Sequence, residues 1–348
     1  MGKAYRIALI PGDGIGPELT EATMKVWDAV EESFGIRLEA LRVEAGDACL
    51  ERRGVALPQE TIDAIKASDA CLKGPVGNTA ADVIVRLRLL LDLYANVRPI
   101  KAYPGIPAIS PDIDFVIVRE NTEDVYRGLE FQITPDDFIC LRVITRKGCE
   151  RIAKYAFEEA LRRRKGMKVT AVHKANVMKL TCGLFAETCR SVAKAYPSIS
   201  YEELLVDTAA MQLIKRPESF DVLVTTNMFG DILSDEAAQT VGGLGMAPGA
   251  NIGEKFAIFE PVHGCAPKYA GKQYANPCSM ILATALMLLW LGNRRGDDEA
   301  VKASKAIDEG VASALKRGQR TRDLGGKLGT SEMGDAVAKE VRNLAGII

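Results

Sequence analysis

Residues 5–34 read YRIALI-PGDGIG-PELTEATMKVWDAVEESF: a short apolar run, a glycine-rich turn, then a segment with helical spacing. The run Tyr5–Ile10 does not alternate apolar with polar, which predicts a strand buried on both faces. In the segment Pro17–Phe34, residues Leu19, Val26, Trp27, Val30 and Phe34 fall on one side of a helix. The same two patterns recur further along. Lys168–His173 (KVTAVH) and Phe220–Thr225 (FDVLVT) read as strands, and Gly148–Lys165 as a helix with Ile152, Tyr155, Ala156 and Ala160 on one face. Strands alternating with helices predict an α/β architecture around a largely parallel sheet with both faces covered.

A chain of 348 residues predicts about two domains. Its composition, 47% hydrophobic and 26% charged, is that of a folded globular protein. With 45 Lys+Arg against 46 Asp+Glu the net charge is −1, and the basic surplus that phosphate-backbone binding requires is missing. No nucleic acid partner is expected. Met1–Ile10 lacks the apolar core and small-residue cleavage site of a signal peptide. The longest apolar run, Cys278–Gly292, is too short to span a bilayer and predicts a helix buried all round rather than a membrane contact. Eight cysteines without a C-x-x-C pair, and only two histidines, argue against a zinc site and for a reducing, cytoplasmic setting. The run Arg162–Lys165 predicts a basic helix C-terminus facing solvent.

Four stretches carry candidate chemistry. The turn Pro11–Glu18 has a G-x-G-x-G spacing, not G-x-G-x-x-G, and its Asp13 and Glu18 would repel a pyrophosphate. It reads either as an atypical phosphate loop or as a tight glycine turn. Arg88, Arg98 and Arg119 each lie on or just beyond an apolar element, where a guanidinium suits either bidentate carboxylate binding or a structural ion pair. In Phe229-Gly230-Asp231-Ile232-Leu233-Ser234-Asp235 two carboxylates are one helical turn apart, leaving Ile232 and Leu233 to pack. Carboxylates held together want a cation, and an all-oxygen set suits Mg²⁺ or Mn²⁺; a solvated acidic face is the alternative. Asp207, after the apolar run Leu204–Val206, is a candidate third ligand.

Six segments in register supply a context: IPGDGIGPE (10–18), DLYANVRP (92–99), VRENTED (118–124), VHKANV (172–177), FGDILSD (229–235) and EPVHGCAPKYAG (260–271). Together the chain resembles the β-decarboxylating dehydrogenase family of isopropylmalate, isocitrate and homoisocitrate dehydrogenases. The resemblance implies a two-domain α/β fold that is not a Rossmann fold, forming a dimer or higher homo-oligomer with shared active sites. Residues 1–99 and 252–348 would form the cofactor-side domain, and residues 100–251 the substrate and dimerisation domain. The reaction implied is oxidation of a malate-type 2-hydroxy acid by hydride transfer to a nicotinamide, followed by loss of the 3-carboxylate as CO₂.

The resemblance also implies roles. Arg88, Arg98 and Arg119 match the arginines that clamp the hydroxy-dicarboxylate or tricarboxylate substrate. Asp231 and Asp235 match metal ligands, joined by Asp207 from the other subunit, which also borders the substrate. Tyr126 matches the tyrosine that protonates the enolate, and Lys174 the lysine that assists proton removal across the subunit interface. A divalent cation beside that lysine would lower its pKa. Every chemical role is filled, against the reading of a catalytically silent regulatory subunit. The cofactor is implied at Asn176, at the loop His263-Gly264-Cys265-Ala266, and at Asn276. Lys268-Tyr269 stand where NAD-dependent members carry an acidic pair, and with Arg322 they favour NADP over NAD, because a cation attracts the 2′-phosphate. Asp323, beside Arg322, is a further implied cofactor-binding residue. Ala275 before Asn276 resembles the NAD type. One turn before Arg88, Ile84 and Val85 offer methyl groups where isocitrate enzymes place polar residues, which favours 3-isopropylmalate. The isocitrate-type segment Lys268–Gly271 and Arg86 point instead to isocitrate or homoisocitrate.

Overall fold

The computed structural model describes residues 3–348. The apolar run forms β1 (Ala4–Ile10), and the helical pattern forms α1 (Gly16–Phe34), which ends on Gly35 in the left-handed conformation. Then follow β2 (Arg37–Arg42), α2 (Asp47–Arg53), α3 (Gln59–Lys66), β3 (Ala70–Lys73) and α4 (Arg86–Leu90), the last entered through a π-helical turn, Ala81–Val85. The middle of the chain holds β4 (Ala95–Lys101), β5 (Asp114–Glu120), the hairpin β6 (Glu130–Gln132) and β7 (Phe138–Cys140), α5 (Arg146–Arg163), β8 (Lys168–His173) and α6 (Thr181–Ala193). After these come β9 (Ser200–Leu205), α7 (Val206–Lys215), β10 (Val222–Thr225), α8 (Asn227–Gln239), β11 (Pro248–Ile252) and β12 (Ala257–Pro261). Three helices close the chain: α9 (Cys278–Arg295), α10 (Asp298–Lys316) and α11 (Thr330–Leu344).

One ten-stranded sheet runs through the described residues in the order β2-β1-β3-β12-β11-β4-β5-β10-β8-β9. Both flanks are parallel, as expected. The centre is not: β12–β11, β11–β4 and β4–β5 pair antiparallel. An all-parallel Rossmann order is thereby excluded. Strand alternation splits the core in two. Tyr5, Ile7, Leu9, Val97, Val118, Val169, Val222 and Phe259 share one cluster with α1, α5, α6, α9, α10 and α11. The other face carries two separate clusters. One surrounds Ala8, Ile10, Cys71 and Ile258 under α3 and α4; the other surrounds Phe115, Ile117, Val172 and Leu223 under α7 and α8. Between those two the sheet centre is polar.

Two expectations need correction. Helix α9 is not buried all round: Leu289 is 39% exposed. With Leu286 and Trp290, it lines a cleft of about 900 Å³ against Val97, Pro99 and Val116. Nor is the run Arg162–Lys165 simply solvated. Arg163 is largely buried and bonds Asp114 and Asp221, so it ties the end of α5 to β5 and to the chain entering β10.

Candidate active site

On β4, Val97 and Pro99 face the large cleft while Asn96 and Arg98 point to the opposite face. The same alternation sends Arg119 of β5, Asn251 of β11, Glu260 of β12 and Lys73 of β3 into the polar gap between the two apolar clusters, all of them buried. Such burial is tolerable only if charges and amides satisfy one another. Glu260 does most of this. Its carboxylate lies 2.8 Å from Lys73 Nζ and 3.3 Å from Arg88 Nη2, and it accepts a 2.8 Å bond from Asn251 Nδ2. Burial alone would raise its pKa, but Lys73 and Arg88 hold it at about 2. Asn251 Oδ1 in turn accepts from Arg88 Nε, Asn96 Nδ2 and Asn121 Nδ2.

Arg98 donates to Asn96 Oδ1 at 2.7 Å and to Ser234 Oγ at 2.6 Å. Arg119 donates to Asn227 Oδ1 and to Asp231, but its Nη2 is buried without a partner. Gly230 makes this course possible, since a Cβ there would sit 2.6 Å from Arg119 Cγ. Desolvation, reinforced by Arg98 and Arg88, lowers the Arg119 pKa to about 9. Four buried cations thus face three carboxylates (Glu260, Asp231 and Asp235), and the gap favours an anionic guest.

Asp231 and Asp235 share one face of α8, as the spacing predicts. Of the two residues expected to pack, Leu233 is buried but Ile232 is 61% exposed. Burial would raise the Asp231 pKa, but Arg119, Arg98 and the Tyr126 bond bring it below its usual value. The Asp235 pKa is raised by burial, with Arg98 opposing and Asp231 adding. Tyr126, on a short 3₁₀ turn, donates to Asp231 Oδ2 at 2.5 Å and lies under the Arg119 guanidinium at 5.0 Å. Burial raises its phenol pKa, Arg119 opposes this, and the Asp231 bond adds to the rise.

Lys174 and Asp207 do not join this group within one chain. They bond each other at 2.5 Å on a more exposed surface, with Asn176 on the adjacent exposed turn. Among the described residues no three His, Cys, Asp or Glu side chains lie close enough to hold a metal ion together. The single chain therefore brings together Asp231 and Asp235 but not Asp207. The hard oxygen pair on α8 still fits half of a Mg²⁺ or Mn²⁺ site.

The glycine turn serves as a support. Asp13 accepts N–H bonds from Asp47, Ala48 and Gly77, and Ile15 N–H donates to Cys265 O. Gly14 packs so closely that a Cβ would lie 2.1 Å from Cys265 O. It thus buttresses the loop His263-Gly264-Cys265-Ala266, where Ala266 adopts φ +40°. Asn276 is buried, donating to Asp323 at 3.1 Å and accepting from Cys278 N–H. Lys268 lies over the Tyr269 ring at 4.7 Å, Tyr269 stacks on Tyr274, and Arg322 lies over Tyr274 at 4.1 Å. Among the described residues neither cation has a carboxylate partner, so the cluster fits a phosphate. Tyr274 was not predicted, because its distance from Lys268 gives no periodic signal.

The π-helical turn alters the expected face before Arg88. Arg86 N–H reaches back five residues to Ala81 O, so α-helical spacing does not hold there. Ile84 packs into the core with Val83 and Leu87, Val85 is half-buried and Arg86 is exposed.

Residues 6–337 match the isocitrate/isopropylmalate dehydrogenase family. A 3-isopropylmalate dehydrogenase of Methanothermobacter thermautotrophicus is 51% identical over 342 residues, covering 98% of this chain and all of the relative. An isocitrate/homoisocitrate dehydrogenase of Thermus thermophilus is 46% identical over 348 residues, covering 98% and 100%. The crystal structure of isocitrate dehydrogenase from Methylococcus capsulatus superposes with a TM-score of 0.90 at 44% identity, covering 97% of this chain and 99% of that one. With the family model matched over nearly the whole chain and relatives of 46–51% identity covered from end to end, the chain belongs to the isocitrate/isopropylmalate dehydrogenase family.

Proposed function

We propose that the protein is a metal-dependent 3-isopropylmalate dehydrogenase, converting its substrate to 4-methyl-2-oxopentanoate and CO₂ with reduction of NADP. The buried cluster in which Arg98 and Arg119 meet Asp231, and Arg119 meets Tyr126, with Arg88 held in the same gap by Asn251 and Glu260, carries this reading. Three guanidiniums, one with a free buried Nη2, provide a clamp for a substrate with two carboxylates. Tyr126 keeps its proton at neutral pH and is the acid that delivers it to the carbon left when CO₂ departs. Lys174 of the partner subunit takes the hydroxyl proton. A nicotinamide cofactor would supply the hydride acceptor, and a divalent ion, which Asp231 and Asp235 would hold together with Asp207 of the partner subunit, would supply Lewis-acid stabilisation of negative charge on the substrate's 2-oxygen.

The shared site requires a homodimer. Its support is apolar: Val177, Leu180, Met211, Ile214 and Ile232 are at least half exposed beside Lys174 and Asp207, as are Phe131, Ile133 and Phe138 on and beside the β6–β7 hairpin. We assign residues 1–99 with 252–348 to one domain and 100–251 to the other. The loop 263–266 would hold the cofactor, with Asn276 and Asp323 on the adenine side and Asn176 on the nicotinamide side, and Lys268 and Arg322 would hold the 2′-phosphate. A reducing cytoplasm suits eight free cysteines, and among the described residues no helix is long and apolar enough to cross a membrane.

The 51% identity to an isopropylmalate enzyme favours isopropylmalate; of the two apolar residues expected before Arg88, only half-buried Val85 stays outside the core, since Ile84 packs into it. The Lys268–Tyr269 segment and the 46% identical isocitrate/homoisocitrate relative favour the second reading. An absorbance assay at 340 nm with Mg²⁺, NADP or NAD, and 3-isopropylmalate, isocitrate, homoisocitrate or malate decides between them. The expected result is highest kcat/KM with 3-isopropylmalate and NADP, abolished by a chelator and restored by Mg²⁺ or Mn²⁺. Preference for isocitrate would transfer the assignment to the second reading, and no turnover with any of the four would overturn both.

A further inference from the structure

Tyr126 must be held within hydrogen-bond reach of its target, yet none of the residues of the 3₁₀ turn Val125–Arg127 that carries it is fully buried. Packing alone therefore does not fix the turn. Asp124, just before it, is completely buried and has φ +69° and ψ −150°, a conformation that side-chain-bearing residues rarely adopt. Its backbone N–H bonds Val143 O, and its carboxylate is fully engaged. Oδ1 accepts from Val125 N–H at 3.0 Å and from Arg142 Nε at 2.6 Å; Oδ2 accepts from Arg142 Nη2 at 3.0 Å and from Met228 N–H at 3.2 Å. Arg142 is nearly as buried and reaches three elements at once. Nη2 also donates to Thr226 Oγ1 at 2.6 Å, at the start of α8; the guanidinium lies 4.7 Å over the Phe229 ring; and Nη1 contacts Met178 Sδ and Cys182 Sγ, past the Lys174 turn.

We propose that Asp124 and Arg142 are a positioning pair that fixes Tyr126 for proton delivery. The bidentate bond holds the Asp124 carboxylate, that carboxylate holds the first N–H of the Tyr126 turn, and the unusual backbone angle aims the turn at α8. The pair also holds the first turn of α8 at Thr226, Met228 and Phe229, but the rest of that helix is anchored independently through Leu233, Ala237 and Ala238, all buried. Neither residue touches the Arg88–Arg98–Arg119 clamp directly.

The inference rests on Tyr126 being the proton donor, and a double-mutant cycle separates the two claims. Steady-state kinetics of the full-length protein are measured for Y126F, D124N, R142M, R142K and D124N/Y126F, each with a thermal melt. Y126F alone tests the donor role: unchanged kcat refutes that reading whatever the other variants do. With kcat of Y126F reduced, D124N is expected to lower kcat at least tenfold in the parent and less than twofold in the Y126F background. KM for the hydroxy acid should change less than threefold, and R142K should retain more activity than R142M. Equal losses in both backgrounds, a loss carried by KM, or unchanged kcat in D124N would overturn the pair's role. If D124N does not fold, R142K combined with Y126F runs the same cycle under the same criteria.

Discussion

Replacing Glu260 by Gln keeps the shape of the buried network and removes only its charge, so the cost can be worked from the site. Lys73 is 2% and Arg88 7% exposed at the side chain, and Glu260 is the carboxylate that both contact. Lowering a carboxyl from 4.5 to about 2 corresponds to roughly 3 kcal/mol at about 1.4 kcal/mol per unit. Removing one partner of a buried ion pair costs about 3–5 kcal/mol in general, which agrees. Spread over a 348-residue chain at about 2 cal/mol/K per residue, 3 kcal/mol lowers the melting midpoint by roughly 4 °C. The pH dependence has a definite sign. A carboxyl whose folded pKa is depressed contributes its stability above its unfolded pKa and loses it as pH falls through the folded one. The gap between parent and E260Q should therefore be full at pH 7 and narrow between pH 4.5 and about 2. Arg88 also loses the charge that orients it, so KM for the hydroxy acid should rise on the order of tenfold, about 1.4 kcal/mol. Calorimetry at pH 7 and pH 4 with initial-rate kinetics checks all three. A midpoint within 1 °C of the parent at pH 7, or a gap unchanged below pH 4.5, would refute the view of Glu260 as the charge that holds the clamp.

Two further outcomes follow from other parts of the site. Lys268→Asp should lower kcat/KM for NADP on the order of 10²-fold while leaving NAD within a few-fold, because it places a negative charge beside the 2′-phosphate; an unchanged NADP/NAD ratio places the phosphate elsewhere. Mixing K174M with Y126F, each strongly impaired alone, and allowing subunits to exchange should restore roughly a quarter of the parent activity. Half the re-formed dimers are then mixed, and each holds one intact site; no recovery, with exchange verified by mass, would show that the sites are not shared.

The α/β class was legible because buried strands and one-sided helices carry their burial in their spacing. Tyr5–Ile10 and Pro17–Phe34 needed nothing from elsewhere in the chain. The antiparallel sheet centre was not legible. β4, β5, β11 and β12 interrupt one face there with polar residues (Asn96, Arg98, Arg119, Asn251 and Glu260), and their pairing depends on partners up to 187 residues away, Ile258 against Cys71 (258 − 71). The site divided in the same way. Arg88, Arg98, Arg119, Asp231 and Asp235 stood out as charges at the ends of apolar elements. Glu260, Lys73, Asn251 and Asn96 did not, because a buried polar residue within a strand looks like the solvent-facing member of an alternating pattern. The π-helical turn at Ala81–Val85 was equally invisible, since no residue type marks it.

The polar gap in the sheet also explains why the substrate clamp and the cofactor loop share supports. Lys73 Nζ, held by Glu260, also donates to Gly74 O at 2.9 Å. Gly74 lies against Pro11 so tightly that a Cβ would meet Pro11 O at 2.0 Å, and Asp13 N–H bonds Pro75 O. Two residues further on, Ile15 N–H holds Cys265 O. A few rigid links, without a flexible side chain between Gly74 and Cys265, therefore connect the cations around the substrate to the loop proposed to carry the cofactor. Glycines at these contacts let backbone meet backbone, which fixes distance better than side chains do. The turn that most resembles a phosphate loop thus acts by being incompressible: it transmits the position of one ligand's clamp to the other ligand's loop, as hydride transfer between the two requires.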